Sequence, residues 1–166
     1  YPDLASRDLA GSVVSANDEL FAPRQNLIMP LPAVHAADDF GHTGKVYDGW
    51  ETRRRREPGH DWAIVRLGVP GIVHGVVVDT AFFLGNYPAE CSIETCWLDG
   101  WPAVDELVEL PYWRMKAERR KLEGDRDGLL VAFLLLVGGV VAARGARRVV
   151  NSRRRQLITL RYPETE

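Results

Sequence analysis

The chain has 166 residues, enough for one domain that buries roughly 70% of its unfolded surface and too few for two of full size. Its 46% hydrophobic and 27% charged residues, with five each of Trp, Tyr and Phe, describe an ordinary soluble globular chain and exclude a disordered, collagenous or coiled-coil one. A net charge of −2, from 21 basic and 23 acidic side chains, excludes a whole-molecule field that would draw the protein to nucleic acid or anionic lipid.

Residues 3–9 predict a short helical start closed by Gly11, and Ser12–Ala16 predicts a strand. A polar loop with Pro23, Pro30 and Pro32 then runs from residue 17 to about 44; loops of that length in a compact domain are usually functional. The β-branched runs at 62–67 and 71–78, separated by Gly68-Val69-Pro70-Gly71, predict a hairpin, and His74 within the second reads as a structural histidine. In residues 92–97, Ile93, Thr95 and Trp97 alternate with Ser92, Glu94 and Cys96, as in a half-buried strand. The helical pattern over 104–122 is broken by Pro111, and residues 129–137, 140–143 and 157–162 add strands. Short strands joined by turns, without βαβ alternation, predict an all-β antiparallel sandwich in a single domain over 1–166.

Cys91 and Cys96 form no Cys-x-x-Cys pair and, five apart on a strand, point to opposite faces, so no disulfide is expected. The start, Tyr1-Pro2-Asp3-Leu4, has neither the basic nor the apolar run of a signal peptide. The longest apolar stretch, 129–143, is 15 residues interrupted by Gly138-Gly139, short of the roughly 20 that span a bilayer, and reads as a buried hairpin. A cytoplasmic protein with no membrane partner is expected, and so apolar a stretch favours a homo-oligomer. Charge is uneven: residues 1–111 hold 17 acids and 8 bases, and 112–166 hold 6 acids and 13 bases. The arginines at 144, 147, 148, 153–155 and 161 lack the interleaved aromatics of a single-strand platform, so no nucleic-acid partner is expected.

The densest polar segment runs Asp48-Gly49-Trp50-Glu51-Thr52-Arg53-Arg54-Arg55-Arg56 and continues Glu57-Pro58-Gly59-His60-Asp61-Trp62. Carboxylates, guanidiniums and an imidazole between two Trp suit a small anionic ligand: Arg forks a carboxylate, Asp48 and Glu51 accept N–H donors or act as acid and base, and His60 titrates near neutrality. The alternative for the same segment is a solvated charged loop above Trp50 and Trp62. Asp79-Thr80, Phe82-Phe83 and Gly85-Asn86-Tyr87-Pro88 leave a strand, and Asn17-Asp18-Glu19 leave another; both positions suit function, with capping and turn formation as the alternative. His35 and His42 with Asp38 and Asp39 form a candidate ligand set for a divalent metal, at a spacing that matches no established metal motif. No phosphate-cradling glycine loop, Gly-x-Ser-x-Gly or nucleophilic cysteine context is present.

At four of these words, in this order, the sequence resembles the allantoicase family, purine-degradation enzymes that split allantoate into ureidoglycolate and urea. They are Asn17-Asp18-Glu19 with Phe21-Ala22-Pro23, Asp48 to Arg54, Gly59 to Trp62, and Asp79-Thr80 with Phe82-Phe83 and Gly85 to Pro88. The likeness covers roughly 3–98 and is weak beyond 113. It implies a jelly-roll β-sandwich of the galactose-binding-like kind with long loops, and a hydrolase acting on C–N bonds of linear amidines. Family members carry two such repeats where this chain has length for one, so a fragment or shortened relative is expected. The tail also departs from the family pattern, with Gln156-Leu157-Ile158-Thr159-Leu160-Arg161 in place of a His-x-Arg-Leu strand end. For allantoate, chemistry assigns the carboxylate to Arg53 or Arg54 and the ureido N–H groups to Asp48 and Glu51. His60 or Glu51 is the general acid and base, and Asp18, Glu19, Asp79 and Asn86 are further substrate contacts. The competing class is a non-catalytic sandwich module derived from the family, binding a small ligand or a partner.

Overall fold

A computed structural model describes residues 2–35, 38–100 and 102–109, together with strand segments at 115–116, 120–121, 129–131 and 154–163. In chain order the strands are β1 (Ser12–Ala16), β2 (Phe40–Gly41), β3 (Gly44–Lys45), β4 (His60–Arg66), β5 (Val76–Val78) and β6 (Glu90–Asp99), then β7 (Met115–Lys116), β8 (Arg120–Lys121), β9 (Leu129–Val131) and β10 (Arg154–Pro163). One short helix, α1 (Val104–Glu109), follows β6, and 3-10 turns lie at Arg7–Leu9 and Arg24–Ile28. The fold is thus all-β. The expected strands over 132–137 and 140–143, and the arginines from 144 to 153, lie outside the described residues.

The main sheet is antiparallel in the order β1-β4-β10-β6-β7, with β8 also on β6. β10 lies at its centre: Leu157 to Pro163 pair with Arg66 to His60, and Arg154 to Arg161 pair with Asp99 to Ser92. Strand alternation sorts the core into two faces. On one, Val13, Ala63, Val65, Cys91 and Ile93 pack with Ile28 of the second 3-10 turn and Val78 of β5. On the other, Ile64 and Cys96 pack with Leu107 of α1. The two cysteines are free, buried and on opposite faces, and burial pushes each thiol up to about 11.

Three local expectations are corrected. β6 is buried from Cys91 to Cys96 rather than half-buried: its second face is also packed, with Leu107 of α1 against Cys96. Residues 62–67 and 71–78 do not form a hairpin: both edges of β4 are occupied, by β1 and β10, and β5 pairs with β9 instead. The Gly68 turn carries the chain beneath the N-terminal segment, where its N–H donates to Leu4 O at 2.9 Å and a Cβ would lie 1.7 Å from Leu9 O. His74 is exposed and outside any strand, so it is not a core histidine. The predicted helical start is a single 3-10 turn capped by Ser6 and ended by Ala10 in the left-handed region, one residue before Gly11. The helical pattern at 104–122 ends as α1 at Glu109, ahead of Pro111.

Candidate functional site

Where β1 ends, Asn17 extends its pairing with β4 by side chain as well as backbone. Its N–H donates to Trp62 O at 3.1 Å, its Oδ1 accepts from Trp62 N at 2.7 Å, and its Nδ2 donates to Asp61 Oδ1 at 2.6 Å. The same Asp61 carboxylate accepts from Thr52 Oγ1 at 2.8 Å and from Arg55 Nη2 at 3.0 Å. Arg55 Nη2 also donates to His60 O at 3.1 Å, while its Nε is buried without a hydrogen-bond partner. Room for this guanidinium comes from Gly59, whose φ of +151° and whose Cβ position 3.1 Å from Arg55 Nη1 both disfavour a side chain.

A second carboxylate, Asp18, holds the start of the arginine run. Its Oδ1 accepts from Leu20 N and Arg53 N, both at 3.0 Å, and its Oδ2 accepts from Arg53 Nε at 2.5 Å. Burial pushes the Asp18 carboxyl up, but the two backbone N–H bonds and the Arg53 guanidinium outweigh it and hold the group below the usual carboxylate range. Trp50 Nε1 donates to Asp18 O at 2.7 Å, and an isolated antiparallel bridge joins Ala22 to Glu51. Glu51 Oε1 accepts in turn from Asn86 Nδ2 at 2.9 Å.

These ties open a cleft of about 700 Å³. Asn17, Asp18 and Asp61 line it together with Leu20 and Phe21 and the arginines at 53–56. Along that run the roles alternate: Arg53 and Arg55 are anchored to Asp18 and Asp61, whereas Arg54 and Arg56 are exposed and make no hydrogen bond or ion pair among the described residues.

Of the residues singled out from sequence, Asp18, Arg53 and Arg54 line this cleft. Glu51 and Asn86 are joined to each other, and His60 begins β4 beside Asp61. The remaining three hold loops: Glu19 and Asp79 bond within a few residues, and Asp48 reaches across the long loop. Asp48 accepts from Val34 N, Glu19 pairs with Arg24 at 2.8 Å and accepts its N–H at 3.1 Å, and Asp79 accepts from Ala81 N at 2.8 Å. No group of three metal-ligating side chains occurs among the described residues, and His35 lies against the Phe82 ring at 4.9 Å. Sequence reasoning missed Asn17, Thr52, Arg55 and Asp61 as a connected group. Three of the four were in view inside the matched words, but the Asn17–Asp61 bond spans 44 residues and left no local signal.

The allantoicase repeat model matches residues 2–132. A probable allantoicase of Nocardia farcinica is 49% identical over 125 residues, 75% of this chain and 38% of that protein. One of Streptomyces coelicolor is 52% identical over 118 residues, 65% of this chain and 31% of that protein. Two solved allantoicase structures align with 98% of this chain and 44% of theirs: one at 29% identity and a TM-score of 0.65, the other, from Saccharomyces cerevisiae, at 27% and 0.60. The all-β chain with its arginine-lined cleft belongs to the allantoicase family. It spans about a third of the length of the curated relatives it matches. The matched region ends before β10, the strand at the centre of the sheet.

Proposed function

We propose that the chain is one repeat of an allantoicase, a jelly-roll sandwich of the galactose-binding-like kind over 1–166. It acts in the cytoplasm, within a homo-oligomer, to hydrolyse allantoate to ureidoglycolate and urea. The observation that carries the reading is the cleft itself, which combines free guanidiniums with the apolar Leu20 and Phe21 in a chain of this family. Allantoate needs one anion site and several acceptors for its ureido N–H groups. Arg54 meets the carboxylate, with Arg53 behind it on Asp18. Asp18 and Glu51 accept ureido N–H bonds, and Asn86 orients Glu51.

In the reaction, water's oxygen bonds to the central carbon as that carbon's bond to one ureido nitrogen breaks. The departing nitrogen gains a proton and leaves as urea, and the water gives up one of its own. Glu51 and His60 supply the acid and the base. In this reading Asp48, Glu19 and Asp79 fix the loops that carry these groups. The test is urea release from allantoate by the purified protein, with divalent metal added and after a chelator. Turnover that falls at least a hundredfold in Glu51→Ala is the expected result. Allantoate binding without urea release under every condition would refute the hydrolytic reading and leave a binding module.

A further inference from the structure

We infer that Asp61 is a positioning residue, which locks Arg55 in place and thereby turns Arg54 and Arg56 into the cleft as a paired site for the ligand's carboxylate; this rests on the allantoate reading above. The geometry points there by three independent features. First, Asp61 alone ties together three segments that border the cleft: the end of β1 through Asn17, the arginine run through Thr52 and Arg55, and β4 on which it sits. Second, Arg55 is not placed as a solvated cation. Its Nη2 is shared by Asp61 and His60 O, its Nε is buried, and Gly59 leaves space for it. Third, Arg54 and Arg56, its neighbours on either side in sequence, line the cleft as Arg55 does but are exposed and unpaired among the described residues. Residues 52–56 make no sheet pairing beyond the Glu51 bridge, so side chains rather than a ladder set the direction in which these guanidiniums face.

A carboxylate held between two guanidiniums two residues apart is the recognition this arrangement offers, because each fork donates paired N–H bonds to an anion. Asp61 borders the cleft, but both of its carboxylate oxygens are already engaged, by Asn17, Thr52 and Arg55, which leaves the ligand's carboxylate to Arg54 and Arg56. Removing its charge should therefore weaken the ligand's hold while the backbone ladder between β4 and β10 persists.

The test compares wild type with Asp61→Asn, Arg55→Ala and Arg55→Lys by calorimetric titration with allantoate, and by NMR of the Arg55 Nε–H. In wild type that resonance should be distinct and slow to exchange, as befits a buried N–H. In Asp61→Asn it should exchange fast while the amides of β4 and β10 stay protected, and Kd should rise at least tenfold. Arg55→Lys, which keeps a cation for Asp61, should recover part of the binding lost in Arg55→Ala. If Asp61→Asn does not fold, Thr52→Val and the Arg55 pair carry the same comparison. A purely structural role would lower thermal stability and expose amides throughout, yet leave the Kd of the folded fraction unchanged; that result overturns the proposal. Absence of allantoate binding in wild type would overturn the substrate reading instead, and an Arg55 Nε–H that exchanges equally fast in wild type and Asp61→Asn would overturn the positioning role by itself.

Discussion

Between β4, β10 and β6 the chain is held by two continuous backbone ladders, with Ala63, Ile64, Cys91 and Ile93 all buried. Around the cleft, residues 17–22 and 51–61 meet through one isolated bridge and a handful of side-chain bonds centred on Asp18 and Asp61. The sheet spreads its stability over many equivalent contacts, so one bond more or less matters little and one methyl group matters much. The rim concentrates it in two carboxylates, so a single charge decides where several arginines face. That division suits a binding site: the scaffold tolerates variation in its ladder partners, and the site is adjustable one residue at a time.

The largest effect belongs to the sheet. Ile64 is 1% exposed and packs with Cys96 and Leu107, so Ile64→Ala should destabilise by about 2–5 kcal/mol, read from urea unfolding. The same variant should expose the thiols. Burial holds Cys91 and Cys96 near 11, so both should resist a thiol reagent at neutral pH in the wild type and react markedly faster in Ile64→Ala. Equal labelling rates would mean that the sheet centre opens independently of its core.

At the rim, Gly59→Ala should cost about 1–3 kcal/mol, because φ is +151° and the added Cβ meets the Arg55 guanidinium. The accompanying prediction is sharper than the stability loss: allantoate binding should weaken more than tenfold while β4–β10 amide protection is retained. Loss of protection in those strands would erase the distinction between ladder and rim.

Legibility from sequence follows the same division. Ser12–Ala16 was readable because a β-branched run lies between Gly11 and Asn17, and the end of α1 because Pro111 stops it. The central position of β10 was not, since its partners β4 and β6 lie far away in the chain and ladder pairing leaves no local mark. The turn at Gly68-Val69-Pro70-Gly71 is real, but a turn does not say which edge is vacant, and β4 had none to offer β5. At the site, composition singled out the acids and arginines as one polar segment, yet it could not divide them. Arg53 meets Asp18 across 35 positions, which places one of the two guanidiniums assigned to the substrate on a protein carboxylate.

Asp18 gives a prediction in pH. Its folded value lies below the 3.8 of an ordinary Asp, so the unfolded chain takes up protons first as pH falls. The stability contributed by the Arg53 pair is therefore fully present above that value and is lost as pH drops through the folded one. Asp18→Asn should destabilise by about 1 kcal/mol at pH 7, and the difference from wild type should shrink only below about pH 4, measured by thermal unfolding across the acid range. A difference that disappears between pH 5 and 7 would assign the effect to another group.

The smallest effect is expected at Glu19, three residues from the bridge that fixes the same loop. Its pair with Arg24 has both side chains substantially exposed, at 44% and 32%. Water screens such a pair and the two long side chains lose freedom in forming it, so Glu19→Gln should change stability by roughly 0.2–1 kcal/mol. Arg24 keeps its bond from Nε to Val13 O at 3.2 Å in that variant, so the loop retains its attachment to β1. Allantoate affinity should accordingly stay within about twofold of wild type, since the loop reaches the cleft through Asp18, Leu20 and Phe21 and not through Glu19. A tenfold loss of affinity with unchanged stability would make Glu19 a ligand contact, and would move the border of the site from Asp18 outward by one residue.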